Sequence, residues 1–205
     1  MSEHTPLGTE STMDLDTATR YLSASSQSES EIGETITEEM MDSYDGLDAG
    51  KSIRQTFLSC DTEEEWHLAD RMFSALTGFT LHEITATTNS KPYSLFTPCG
   101  WHNEKNESFQ NVEERKDFYF KDRDRDEISE LGAAALMAGG IEDADGVGYA
   151  YLEVFRSAAT DRQAQICDAV SIAVTGFSFD TILDVCGIAH ERPDPAKKQT
   201  HAKSR

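Results

Sequence analysis

Two side chains that could act together as a nucleophile and a base lie three residues apart in this sequence. The segment Pro98-Cys99-Gly100-Trp101-His102 places a thiol and an imidazole in one loop, which are the ingredients of an activated cysteine. Catalysis also needs a third group that orients the histidine, and the sequence does not locate one. A thiol-dependent enzyme using Cys99 and His102 is therefore an alternative interpretation, beside an ordinary turn in which Trp101 packs on the domain.

The cysteines do not form a recognisable metal site. None of the four pairs with another at the spacing of roughly two to four residues that is typical of zinc ligands. Cys167 and Cys186 fall on the apolar faces of helical segments, so we predict that they pack in the core. We predict no metal ion and no cofactor. The four cysteines are Cys60, Cys99, Cys167 and Cys186.

Three alternating aspartates resemble the start of a calcium-binding loop. They are Asp122, Asp124 and Asp126. The calcium pattern then fails, because Glu127 stands where the loop needs glycine and Ala133 where it needs glutamate. Arginines between the aspartates favour a solvated, charged connection instead.

The overall charge indicates which partners the chain can bind. The 205 residues include 38 Asp and Glu against 18 Lys and Arg, which gives a net charge of −20 and a pI near 4.5. A surface of this sign repels nucleic-acid phosphates and anionic lipids, so we expect no direct binding to nucleic acid or membrane. It attracts the basic surfaces of other proteins.

Acidic clusters in the middle of the chain form the predicted binding site. If they share a face, their carboxylates imitate the phosphates of a nucleic acid and steer a basic cleft toward it. The alternative is that the acidity only maintains solubility. The residues predicted to bind are Glu63, Glu64, Glu113, Glu114, Asp122, Asp124 and Asp126.

Composition divides the chain into three parts. Residues 1–50 contain 12 acidic residues and one basic residue, and 15 of the 50 are Ser or Thr, so we predict a disordered acidic arm. Two short amphipathic stretches in it, 15–22 and 32–41, could become helical against a partner. Residues 51–190 are predicted to form the folded domain, and residues 191–205 a flexible basic tail.

The predicted domain is α+β, with helices packed on one face of an antiparallel sheet in the order αβββαβαα. Capping boxes with terminal glycines predict helices after Asp61 and Asp124, then after Thr160 and Ser178. Aromatic and β-branched residues predict strands at 79–86, 92–96 and 116–121. A fourth strand is predicted at 147–155, where Ala150, Leu152 and Val154 recur at period two. No repeat at the period of solenoid proteins is visible.

The C-terminal part of the domain resembles a known family. Residues 149–186, with YAYLEVF, a capped helix and GFSFDTILDVC, are similar to the C-terminal part of the small acidic plasmid SOS-inhibition proteins that bind the recombinase RecA. The resemblance covers about a fifth of the chain. It implies a non-enzymatic protein of a mobile element that captures a host DNA-processing factor, and it transfers no functional residue.

These observations favour a binding protein over an enzyme. The predicted function is that of an acidic inhibitor or nucleic-acid mimic that occupies a basic surface of a host DNA- or RNA-processing protein. The alternatives are the thiol enzyme and a structural or self-assembling viral or scaffold protein. Apolar runs are short, and acidic residues stand where a signal peptide needs basic ones, so we expect a cytoplasmic protein.

Overall fold

In the computed structural model, the described residues are 13–25, 29–40, 46–89, 109–121 and 144–187. They form helices and no β-strand. The helices are α1 (Leu15–Ser25), α2 (Glu29–Glu34), a π-helical segment (Thr35–Met40), α3 (Gly46–Leu58), α4 (Glu63–Thr77), α5 (Leu81–Asn89), α6 (Val112–Phe120), α7 (Ala144–Arg156), α8 (Asp161–Thr175) and α9 (Phe179–Val185).

The predicted α+β class is therefore wrong for the described residues, which are all-α. Three of the predicted strands are helices: 79–86 lies mostly in α5, 116–121 in α6 and 147–155 in α7. The remaining predicted strand, 92–96, lies outside the described residues, as does the helix predicted after Asp124.

The segment 147–155 shows why the strand interpretation failed. Its buried residues are spaced as one face of a helix, whereas Tyr149 is 54% exposed. The period-two pattern selected Leu152 and Val154 but left the burial of Tyr151 and Phe155 unexplained. Packing against other helices overrides the strand propensity of these aromatic and β-branched residues. The buried side of α7 consists of Val147, Gly148, Tyr151, Leu152, Val154 and Phe155.

The helices predicted from capping signals are confirmed at α4, α8 and α9. In α4 the predicted box is one residue out of register, because Thr62 accepts the N–H of Glu65 at 3.2 Å while Glu65 accepts the N–H of Asp61 at 2.7 Å. Gly78 ends the helix at φ 79°, a left-handed conformation that favours glycine. Thr160 and Ser178 cap α8 and α9 as predicted.

The chain contains a duplication with a constant offset of 98 residues. Helices α3 and α4 have the same lengths as α7 and α8 and begin 98 residues before them, and α5 begins 98 residues before α9. Ten of the 44 positions in 46–89 are identical to their counterparts in 144–187. The identical pairs are Gly50/Gly148, Phe57/Phe155, Ser59/Ser157, Thr62/Thr160, Asp70/Asp168, Ala75/Ala173, Thr77/Thr175, Gly78/Gly176, Phe79/Phe177 and Ile84/Ile182.

Hydrogen bonds repeat with the sequence. The hydroxyl of Thr77 accepts the N–H of Phe79 at 3.2 Å, and the hydroxyl of Thr175 accepts that of Phe177 at 3.1 Å. Gly176 has φ 80°, matching Gly78. At the same offset, Tyr21 of α1 corresponds to Tyr119 of α6, and both are buried. We call residues 13–89 the N-terminal half and residues 109–187 the C-terminal half.

The two halves interlock. Helices α4 and α8 pack together, while α3 packs mainly on α8 and α7 packs on α4. Ser59 after α3 and Ser157 after α7 each contact an arginine of the other half. Arg162 donates to the carbonyl of Ser59 at 2.6 Å, and Arg71 donates to the hydroxyl of Ser157 at 3.1 Å. The hydrophobic core is therefore shared between the halves.

Part of the predicted acidic arm belongs to this core. Residues 15–25 and 29–40 are helical, and together with Met13 they bury apolar side chains rather than remaining solvated. Helix α2 lies so close to α7 that a β carbon at Gly33 would collide with the carbonyl of Ala144. The predicted boundary at residue 50 falls inside α3. The buried side chains of this segment are Met13, Ala18, Tyr21, Ile32 and Ile36.

Candidate functional site

The predicted residues Glu63 and Glu64 lie in the first turn of α4. Negative charge there is stabilised by the helix dipole. Glu63 accepts a hydrogen bond from the guanidinium Nε of Arg115 at 2.7 Å, which links α4 to α6. The other carboxylate oxygen of Glu63 is buried without a hydrogen-bond partner. Glu64 is exposed.

The predicted residues Glu113 and Glu114 lie in the first turn of α6 and serve that helix. Glu113 pairs with Lys116 at 2.7 Å. Glu114 accepts the N–H of Gln110 at 2.8 Å, while its own N–H is donated to Asn111 at 3.1 Å, which makes a capping box. The carboxylate of Glu114 therefore stabilises the start of α6.

The structure brings part of the predicted site together, but these carboxylates make ion pairs and a helix cap within the fold. Arg115 joins Glu63 to the helix that carries Glu113 and Glu114, so these three carboxylates lie at neighbouring helix ends. Glu63 and Glu113 are ion-paired and Glu114 caps α6, whereas Glu64 is exposed and has neither a hydrogen bond nor an ion pair from its carboxylate in the described part of the chain. Asp122, Asp124 and Asp126 lie outside the described residues.

Sequence reasoning missed a second group of acids, on α2 and the π-helical segment. Glu31, Glu34 and Glu38 are exposed, whereas Ile32 and Ile36 on the opposite side are buried. Their spacings of three and four residues, together with the burial of Ile32 and Ile36, place the three carboxylates on the outer side of α2 and the π-helical segment. None of them makes an ion pair with a described residue; we call them the acidic stripe. The helical spacing of Ile32 and Ile36 was the signal that could have located it.

Across the described residues the charge stays strongly negative. These ranges contain 23 Asp and Glu but only nine Lys and Arg. Five of the nine cations are within 4 Å of a carboxylate, so little positive charge is left to offset the exposed acids. The five are Arg115, Lys116, Lys121, Arg156 and Arg162.

Two cysteines are chemically quiet. Cys60 and Cys167 are fully buried, and burial raises the pKa of each thiol to about 12. Both therefore remain protonated thiols near neutral pH, and Cys167 packs in the core as predicted. Cys186 is half-buried against the core, with its sulfur 3.0 Å from the hydroxyl of Thr35.

The described residues provide no arrangement of side chains that supports the thiol enzyme or a metal site. Cys99 and His102 lie outside the described residues. Within the ranges that are described, no three His, Cys, Asp or Glu side chains come together in a way that could hold a metal ion. No single described helix is long and apolar enough to cross a membrane; α8 and α9 reach that length and composition only as a pair bent by 58°.

Comparison of the chain with protein-family models, with curated proteins and with solved structures gave no match. The resemblance to SOS-inhibition proteins stays a prediction. The residues that carry it, 149–186, lie in α7, α8 and α9 and the turns between them.

Proposed function

We propose that this protein is a non-enzymatic acidic binding protein that occupies a basic, nucleic-acid-binding surface of another protein. The observation that supports the proposal is a set of exposed carboxylates that no cation of the described residues pairs with, of which the acidic stripe is the clearest case. Carboxylates in a row attract a cleft that has evolved to hold phosphates.

The stripe is held on a rigid element. Its opposite side, with Ile32 and Ile36, is buried, and Gly33 brings α2 into very close contact with α7. A surface that is ordered before binding loses less conformational entropy when the complex forms. The stripe is therefore better suited to recognition than a solvated acidic tail of the same charge.

The predicted residues contribute unequally to this function. Glu64 is exposed and adds to the negative surface. Glu63, Glu113 and Glu114 are engaged by Arg115, Lys116 and the backbone of Gln110, so part of their charge is neutralised or committed to helix capping. The role of Asp122, Asp124 and Asp126 stays a prediction.

The first experiment identifies a partner and tests whether it competes with nucleic acid. Immobilised full-length protein is exposed to a nuclease-treated lysate, and proteins that are retained at low salt and released at high salt are purified. Each is then bound to labelled duplex DNA and titrated with the acidic protein. We expect DNA to be displaced.

Two matched variants make this experiment specific. Glu31→Gln/Glu34→Gln/Glu38→Gln removes the stripe, whereas Asp16→Asn/Asp61→Asn/Asp145→Asn removes three exposed charges from α1, from the turn before α4 and from α7. The stripe variant should displace DNA about tenfold less effectively than the dispersed variant. A captured protein that binds DNA and the acidic protein simultaneously contradicts the proposal, as does equal displacement by both variants.

A further inference from the structure

An open surface pocket of about 320 Å³ lies between α3 and α6, and we call it the α3/α6 pocket. Its apolar lining is the half-buried side chain of Leu58 and the edge of Phe120, which is only 2% exposed, and Arg54, Lys116 and Lys121 bring three of the nine described cations to it. This volume is at the lower end of small-molecule sites. A concentration of positive charge is unexpected in a chain of net charge −20.

The carboxylates of the pocket neutralise two of its cations and leave the third. Glu113 pairs with Lys116 at 2.7 Å, and Asp117 pairs with Lys121 at 3.5 Å. Arg54 makes no ion pair with any described residue, and its Nε is buried without a hydrogen-bond partner. Its guanidinium lies 6.0 Å from the centre of the Phe120 ring. Burying a charged donor without an acceptor is costly, so an oxyanion that accepts from this Nε–H would stabilise the site.

The duplication shows that the fold does not need these charges. At the offset of 98 residues, Arg54 corresponds to Leu152 and Lys116 to Ala18, and both counterparts are fully buried in the apolar core. The other three charged residues of the pocket also have uncharged counterparts. Those pairs are Glu113/Leu15, Asp117/Thr19 and Lys121/Ser23.

We propose that the α3/α6 pocket binds a small organic anion, whose phosphate or carboxylate group contacts Arg54 and whose apolar part packs on Leu58 beside the edge of Phe120. The guanidinium offers a planar array of donors that matches either oxyanion. The paired Lys116 adds positive potential beside it. This site is separate from the acidic stripe, so either proposal can fail without the other.

The test is an NMR titration of the full-length protein with phenyl phosphate, benzoate, inorganic phosphate and phenol. We expect saturable shifts of the Arg54 Nε–H and of the Leu58 and Phe120 amides with phenyl phosphate or benzoate. The tighter of the two distinguishes a phosphate ligand from a carboxylate ligand. Inorganic phosphate lacks the apolar part and phenol lacks the charge, so the affinity of each should be lower by a factor of about ten or more.

Variants at Arg54 separate this site from general attraction of anions. Arg54→Leu installs the residue found at position 152, so it should fold and bind at least about tenfold more weakly. Arg54→Gln serves the same purpose if the leucine variant is unstable. Arg20→Gln, on the exposed side of α1, removes one cation elsewhere and should bind as wild type does.

Three results would overturn the proposal. They are the absence of saturable shifts with every probe, unchanged affinity in both Arg54 variants, and an equal loss of affinity in Arg20→Gln. Phosphate binding as tightly as phenyl phosphate would remove the apolar part of the recognition and overturn the assignment to an organic anion.

Discussion

Asp70 and Asp168 have the same structural role 98 residues apart. Each carboxylate accepts, at 2.8 Å, the backbone N–H of the residue eleven positions later, Leu81 in one half and Phe179 in the other. That N–H belongs to the first residue of the next helix, where no intrahelical acceptor exists. Each aspartate thus fixes the position of the following helix.

Removing either carboxylate should destabilise the protein by a similar amount. Asp70→Ala and Asp168→Ala each leave a backbone N–H without its acceptor, so we expect each to lower the free energy of unfolding by about 1–3 kcal/mol. Urea denaturation measures this. Asp145→Ala, an exposed control, should change it by less than about 0.5 kcal/mol. A loss at only one of the two aspartates would contradict their equivalence.

The charge of Asp70 should make stability fall with rising pH. Burial raises the pKa of this carboxyl above its usual 3.8. Between that value and the higher folded pKa, the unfolded chain has lost the proton while the folded protein still holds it, so this group's contribution decreases as pH rises. Asp70→Asn has no titratable group at this position, so its free energy of unfolding lacks this pH-dependent contribution. The stability of Asp70→Asn relative to wild type should therefore increase with pH across this window, in denaturation series at several pH values; a constant difference would contradict the shift.

The contact between α2 and α7 should not tolerate a side chain. A β carbon at Gly33 would collide with the carbonyl of Ala144, and one at Gly148 with the carbonyl of Glu29. Because both obstacles are backbone atoms, the helices must separate, and we expect Gly33→Ala and Gly148→Ala to cost about 1–3 kcal/mol each. Ser30→Ala, on the exposed side of α2, is the control. Thermal melts in which all three variants match wild type would show that the helices are not this close.

The interlocked halves should fold together and not alone. Because α3 packs mainly on α8, and α7 packs on α2 and α4, a separate half would expose the apolar surface of these helices. We expect fragments 1–98 and 99–205 to be unstable individually and to recover helical circular dichroism and a cooperative melt when they are co-expressed. A stable monomeric fragment would contradict the shared core.

The thiols should differ in reactivity. With a pKa of about 12, the thiolate fraction of Cys60 or Cys167 at pH 8 is on the order of 10⁻⁴, and both sulfurs are buried. Mass spectrometry after iodoacetamide treatment should find both unmodified in the native protein and modified in urea. Cys186, which is half-buried, should react faster than either. Rapid native modification of Cys60 or Cys167 would show that the core opens readily.

Capping chemistry was the part of the fold that sequence could predict. Thr160 and Ser178, with the glycines that follow their helices, gave α8 and α9 correctly. The same rule, applied to Thr80 with Glu83 and to Asn111 with Glu114, would have found α5 and α6, where aromatic content instead suggested strands. Local hydrogen bonds decide helix starts, whereas strand propensity depends on what the side chains pack against.

The candidate site was less predictable because charge pairing is tertiary. Nothing near Glu63 in sequence indicates Arg115, 52 residues away, which contacts it. The burial of Ile32 and Ile36, which orders the acidic stripe, depends on α7, more than 100 residues later. The duplication itself was visible in principle, since TGFTL at 77–81 and TGFSF at 175–179 end equivalent helices, but its period exceeds that of solenoid repeats.

The most direct test of the proposed function is the rate at which the protein associates with its captured partner, measured by stopped-flow fluorescence as salt increases. The proposal predicts that the wild-type rate falls steeply with salt. It also predicts that Glu31→Gln/Glu34→Gln/Glu38→Gln lowers the low-salt rate about tenfold and flattens the salt dependence, while Asp16→Asn/Asp61→Asn/Asp145→Asn stays close to wild type. Identical rates and identical salt dependence for the two variants would contradict recognition through the acidic stripe.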